Sequence, residues 1–222
     1  MTALLGVDTS TAASAAAVLR ADGEGFDVRP PAKRLLEPPA HAAELLPAVE
    51  RALGDAGLRF GDLDAIAVGV GPGGFTGLRI GIVTARALAA SAGLELRPVS
   101  SLAALAAGAG EGQVLALIDA KRGELFAALY EGGEQAWAPF AATPEAVVER
   151  VRDAGLTPVA VGDGSVRFRD ELEAAGVRVA AADSGSNTVS ALQVCRLALG
   201  TAPVSAEAVV PEYLRAPDAK PR

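Results

Sequence analysis

Leu4-Leu5-Gly6-Val7-Asp8, followed by Ala15-Ala16-Ala17-Val18-Leu19, recurs in the second half of the chain. There it reads Leu115-Ala116-Leu117-Ile118-Asp119, followed at the same offset by Phe126-Ala127-Ala128-Leu129-Tyr130. Each copy is a short apolar run ending in a carboxylate, a polar turn, and a second apolar run, which is the pattern of a β-hairpin. A repeat this long is not a solenoid unit, so it reads as two copies of one α/β unit.

Outward from the first hairpin, a third and more polar strand is expected between Phe26 and Leu36, where Pro30 and Pro31 confine it to an edge or interrupt it. Residues 42, 45, 46, 49, 52 and 53 are apolar at helical spacing, and Pro47 among them predicts a kink or a late start. A strand over 65–70, a turn Gly71-Pro72-Gly73-Gly74, a helix over 75–92 and a strand near 96–99 complete a βββαβαβ unit. In the second copy, Val159-Ala160-Val161-Gly162-Asp163-Gly164 echoes the strand and glycine turn, and a helix over 166–175 and a strand over 177–180 follow. The domains expected are 1–105 and 106–215, with a disordered tail at 216–222.

The inventory excludes several chemistries. His41 is the only histidine of the 222 residues, so this chain alone cannot build a two-histidine metal site. Cys195 is the only cysteine, which rules out an internal disulfide and fits a reducing cytoplasm; its apolar neighbours mark a buried structural thiol. The net charge of −7 argues against a broad nucleic-acid-binding face. The first residues lack the charged and apolar regions of a signal peptide, and no stretch reads as a membrane span.

The helix over 75–92 carries small residues every fourth position, Gly77, Gly81, Ala85 and Ala89. Two glycines inside a helix cost about 1 kcal/mol each relative to alanine, a cost that persists only where something packs against the bare backbone. With Leu78, Ile82 and Leu88 serving the core, this face is expected to turn outward. Leu45, Leu46, Val49 and Leu53 on the neighbouring helix would complete a partner surface. The alternative is that the same residues pack on their own sheet. The turn at 71–77 lacks the Gly-Lys-Ser/Thr ending of a P-loop, which favours a tight strand-to-helix turn over a phosphate cradle.

A duplicated βββαβαβ unit with an aspartate ending the first strand of each copy resembles the RNase H-like superfamily of acetate and sugar kinases, actin and chaperone ATPases. The blocks Gly6-Val7-Asp8-Thr9-Ser10, His41-Ala42-Ala43-Glu44-Leu45-Leu46-Pro47, Gly71-Pro72-Gly73-Gly74-Phe75-Thr76-Gly77-Leu78-Arg79-Ile80-Gly81, Ile118-Asp119-Ala120-Lys121-Arg122-Gly123-Glu124 and Pro211-Glu212-Tyr213-Leu214-Arg215 resemble, in order, the bacterial TsaB (YeaZ) family. That resemblance implies a duplicated α/β fold with mixed sheets and a non-catalytic dimerisation and activation subunit. Its role would be in making N6-threonylcarbamoyladenosine at position 37 of tRNA. The implied partners are the transferase TsaD, the ATPase TsaE and a second copy of the chain, with tRNA contacted only indirectly. Catalytic relatives hold metal with paired histidines on the helix that begins at His41; here Leu45 stands four residues on, so no metal is expected and His41 is read as a helix-start residue near the surface. Superfamily kinases present carboxylates to a magnesium–nucleotide where this chain has Asp8 and Asp119. Asp8, Thr9, Asp119, Gly162 and Gly164 are therefore the candidate vestigial nucleotide cleft, and the alternative function is a kinase-like ATPase using Asp8 and Asp119. Otherwise ATP or ADP is expected only at a subunit interface, and the aspartates cap hairpin turns.

Overall fold

The structure is a computed structural model and describes residues 3–215; the tail expected to be disordered, 216–222, lies outside the described residues. The first lobe opens with β1 (Leu4–Asp8), β2 (Ala15–Leu19) and β3 (Gly25–Val28), followed by α1 (His41–Asp55), β4 (Ala65–Gly71), α2 (Phe75–Ala92) and β5 (Glu95–Ser100). The linking helix α3 (Ser101–Ala109) leads into β6 (Gln113–Lys121), β7 (Glu124–Glu131), β8 (Glu134–Ala142), α4 (Pro144–Asp153) and β9 (Val159–Val161). The short helices α5 (Asp163–Arg167) and α6 (Arg169–Ala174), the strand β10 (Arg178–Val179) and the helix α7 (Ala191–Ala198) follow.

Strand order confirms the duplication. The first sheet runs β3-β2-β1-β4-β5 and the second, written from its other edge, β8-β7-β6-β9-β10. In each, the hairpin strands pair antiparallel and the later strands add parallel, so both sheets are mixed. The register Leu4↔Leu19 to Asp8↔Ala15 brings the Asp8 end of β1 to the mouth of the hairpin.

Alternation along the strands builds three apolar layers. Leu5 and Val7 pack outward under α1 and α2 with Leu45, Val49, Ile82 and Ala85. Leu115, Leu117 and Leu125 pack under α4 and α6 with Val147, Val151 and Leu172. Leu4, Ala65, Ala116, Ile118 and Phe126 face a shared layer filled by α3 and α7. The two lobes are therefore joined back to back over a common core.

The third strand is an edge strand that stops before Pro30 and Pro31, as expected, and Ala32–Leu36 forms a short 3-10 helix after them. Three expectations are corrected. α1 begins at His41, six residues before Pro47, and not after a late start; the Ala43 carbonyl that Pro47 leaves without a helical donor is on an exposed residue. The helix expected over 166–175 breaks at Phe168 into α5 and α6. Finally, the stretch assigned to a second domain at 106–215 returns to the first sheet: α7 lies on β1 and β2, Val204 bridges Leu96, and Val209 is buried in the first core.

Gly6 makes that return fit. A Cβ there would sit 2.3 Å from the Ala191 carbonyl oxygen and 2.6 Å from Cys195 Sγ. The Cys195 thiol is fully buried and burial pushes it far above the usual thiol range, which makes it an inert packing group. Gly6→Ala is expected to cost about 1–3 kcal/mol in chemical denaturation, the range of an overpacked core; unchanged stability would show that α7 is free to shift.

Candidate functional site

A cleft of about 810 Å³ opens between the lobes. Its first wall comes from Ser10 to Ala12, Leu35 to Ala43 and Gly74 to Gly77 with Ile80; its second comes from Asp119, Lys121, Asp163, Val166 and Arg167. Of the five residues expected there, only Asp119 lines it.

Asp8 is turned inward. It is 1% exposed, its Oδ1 accepts hydrogen bonds from Ser10 N (2.8 Å) and Ser10 Oγ (2.6 Å), and its Oδ2 accepts from Ser101 Oγ (2.6 Å). Ser101 Oγ in turn accepts from Gly71 N at 3.2 Å, so the carboxylate ties β1 to α3 and to the glycine turn. Burial pushes the Asp8 carboxyl above its usual range against the pull of those donors. Thr9 is also buried, and its hydroxyl donates to the Gly77 carbonyl at 2.8 Å.

Gly162 and Gly164 approach their own sheet instead of a ligand. A Cβ on Gly162 would lie 2.1 Å from the Leu117 carbonyl oxygen, and one on Gly164 2.6 Å from Leu125 Cδ2. Asp119 receives Lys121 N on Oδ1 and Lys121 Nζ on Oδ2, both at 2.8 Å, with Arg167 3.6 Å from Oδ2. The set does not fit a magnesium–nucleotide held by two facing carboxylates: one is sealed in the core and the other is neutralised by neighbouring cations.

The glycine face of α2 is the main correction. Gly77, Gly81, Ala85 and Ala89 are all buried, together with Leu78 and Ile82. A Cβ on Gly77 would lie 2.2 Å from the Thr9 carbonyl oxygen and 2.9 Å from His41 Nε2; one on Gly81 would lie 2.2 Å from Thr9 Oγ1. The two stripes are adjacent on the helix. The turn after β1 fills the small one while the core takes the large one. On α1, Leu45, Val49 and Leu53 are likewise core, and only Leu46 of the eight expected interface residues is exposed, at 48%. The outward side of α2 carries Thr76, Arg79, Val83 and Ala87 instead, with Val83 62% exposed.

His41, expected near the surface, is buried at the start of α1, with Nδ1 2.9 Å from Ser14 Oγ. Ser14 also donates to Glu44 Oε2 at 3.3 Å, and Glu44 Oε1 accepts from Arg34 Nε at 2.8 Å. Burial lowers the imidazole pKa, so the ring is a neutral packing group. Among the described residues, no three histidine, cysteine or acidic side chains gather as a metal site.

Sequence reasoning passed over Lys121, Arg167 and Asp163 as parts of the cleft. The block Ile118 to Glu124 pointed at the hairpin, but it gave no signal that Asp163 folds back to accept Asp119 N at 3.1 Å.

A family model described as TsaD, tRNA N6-adenosine threonylcarbamoyltransferase, matches residues 37–158. The tRNA threonylcarbamoyladenosine biosynthesis protein TsaB of Escherichia coli is 37% identical over 170 residues, covering 72% of this chain and 71% of that protein. YeaZ from Pseudomonas aeruginosa superposes with a TM-score of 0.78 at 31% identity, covering 96% of this chain and all of that one. The chain belongs to the TsaB (YeaZ) family. A Mycobacterium leprae protein is 39% identical over 145 residues, a match that spans 65% of this chain and 40% of that longer protein. The fold is accordingly the duplicated RNase H-like α/β fold, and among the described residues no helix is long and apolar enough to cross a membrane.

Asp163 yields a pH prediction. Burial, reinforced by the Asp119 charge, pushes its carboxyl from 3.8 up to about 6, so the folded chain binds a proton that the unfolded chain has released. Stability from this group is full below pH 3.8 and is lost as pH rises towards 6. Asp163→Asn keeps the acceptor for Asp119 N and is expected to raise stability by about 1–2 kcal/mol at pH 7.5, with the gain vanishing near pH 4. Thermal unfolding at both pH values checks this; an equal gain at both would show that charge is not the cause.

Proposed function

We propose that this chain is a non-catalytic subunit in the formation of N6-threonylcarbamoyladenosine on tRNA. In this reading it pairs with the threonylcarbamoyl transferase TsaD and holds it in its active form, while TsaE joins the pair. The carrying observation is the Asp8 carboxylate, sealed in the core of a chain whose relatives include a transferase. The tRNA N6-adenosine threonylcarbamoyltransferase of Novosphingobium aromaticivorans is 35% identical over 118 residues, 46% of this chain and 34% of that protein. With this carboxylate sealed in the core, the fold serves here for something other than ligand binding at Asp8.

The exposed side of α1 and α2 suits that use. Leu46 and Val83 stand out on neighbouring helices, and Ile80, on the same helix as Val83, is partly exposed and lines the cleft. A sequence relative that keeps the α1–α2 pair can dock by near two-fold symmetry, each pair packing on the other. The same symmetry lets two copies of this chain associate when the transferase is absent. ATP or ADP used by the assembly then binds at the contact between subunits.

Leu46→Glu and Val83→Glu place a charge in that surface without touching the core. Each is expected to weaken co-elution with the transferase from the same organism by at least tenfold in apparent affinity, with an unchanged circular dichroism spectrum. Both variants co-eluting like the wild type would remove α1 and α2 as the docking face.

A further inference from the structure

The last described residues run from the first lobe to the second at the edge of the cleft. Val209 is fully buried in the first core. Glu212 N donates to the Val70 carbonyl at 2.7 Å, where β4 ends. The Tyr213 ring stacks on Phe75 with centroids 5.4 Å apart, and its hydroxyl accepts from Arg79 Nε at 3.1 Å. Arg79 itself lies 3.7 Å above the Phe75 ring, so Arg79, Phe75 and Tyr213 form one mutually contacting cluster.

Two residues later the chain is fixed to the other lobe. Arg215 pairs with the Glu124 carboxylate, donates to the Ala120 carbonyl at 2.7 Å, and lies 5.9 Å from the Phe126 ring. Leu214, between the two anchors, packs on the core shared by both lobes. Phe75 lines one wall of the cleft; Ala120 is flanked by Asp119 and Lys121, which line the other.

We propose that residues 209–215 are a strap that sets the width of the interlobe cleft. Two residues of chain span at most about 7 Å, so Tyr213 and Arg215 cannot both keep their partners if the walls move apart. Other bonds between the two halves of the chain involve residues that do not line the cleft, among them Arg29 NH1 to the Gly185 carbonyl, Ser190 Oγ to Asp27, and Arg97 NH1 to the Ala198 and Thr201 carbonyls. They secure the β3 and β5 sides and leave the mouth to the strap. Opening therefore requires release of the Tyr213 or the Arg215 anchor, while Val209 keeps the strap's root in place.

The buried Cys195 stays unlabelled, so spin labels can be placed on Ser91→Cys in the first lobe and Glu149→Cys in the second, both exposed. Pulsed dipolar spectroscopy on the labelled full chain then reads the interlobe distance. Arg215→Ala is expected to broaden the distance distribution at least twofold, and Glu124→Gln to shift it the same way by a smaller amount. Broadening in either folded variant supports the strap. Distributions superimposable on the wild type in both, with unchanged circular dichroism, would overturn it.

Discussion

The turn after β1 is buried, and most of the first lobe is arranged around that constraint. Asp8, Thr9 and Ser10 would normally be solvated polar residues at the tip of a hairpin; here the backbone has been cleared around each. A Cβ on Gly69 would fall 1.8 Å from Asp8 Oδ2, one on Gly73 2.4 Å from the Ser10 carbonyl oxygen, and those on Gly77 and Gly81 2.2 Å from Thr9 atoms. In exchange the turn satisfies groups that would otherwise be stranded: Gly74 N reaches the Ser10 carbonyl at 2.7 Å, and Ser101 links Asp8 to Gly71. The helix cost of Gly77 and Gly81 is offset by the burial and bonding that their missing side chains permit.

That arrangement takes the Asp8 carboxylate out of the interlobe cleft. A carboxylate that accepts three hydrogen bonds in the core is a structural joint, and a ligand could reach it only by breaking them. The second copy has drifted differently: Asp119 remains at the cleft but faces Lys121 and Arg167. With neither half of the duplicated site free, the surface proposed for docking is the outside of the lobe, on the helices that the turn holds in place.

Much of the fold was legible because duplication supplies its own check. Two hairpins at one offset, each with an aspartate near the end of its first strand, dictate two sheets of the same order, and the start of α2 was marked by the glycine turn that ends at Gly74. The direction of the glycine stripe was not legible. Spacing of four says that something approaches the backbone, but a partner and the chain's own β1 turn leave the same mark. The return of α7 to the first sheet was hidden for a similar reason: Gly6 signals close contact, and only the structure names Ala191 and Cys195 as what fills it. His41 and Pro47 misled because burial and solvent exposure, which decide what each can do, are absent from a local reading.

The central claim is that this chain works through another protein and not through its own cleft. The most direct measurement is a reconstituted threonylcarbamoyl transfer to tRNA, with the transferase and ATPase of the same organism, titrated with this chain. The account predicts transfer that rises to saturation at one chain per transferase, and no ATP turnover by this chain alone with magnesium. Full transfer without it, or magnesium-dependent ATP hydrolysis by the isolated chain, would contradict the account.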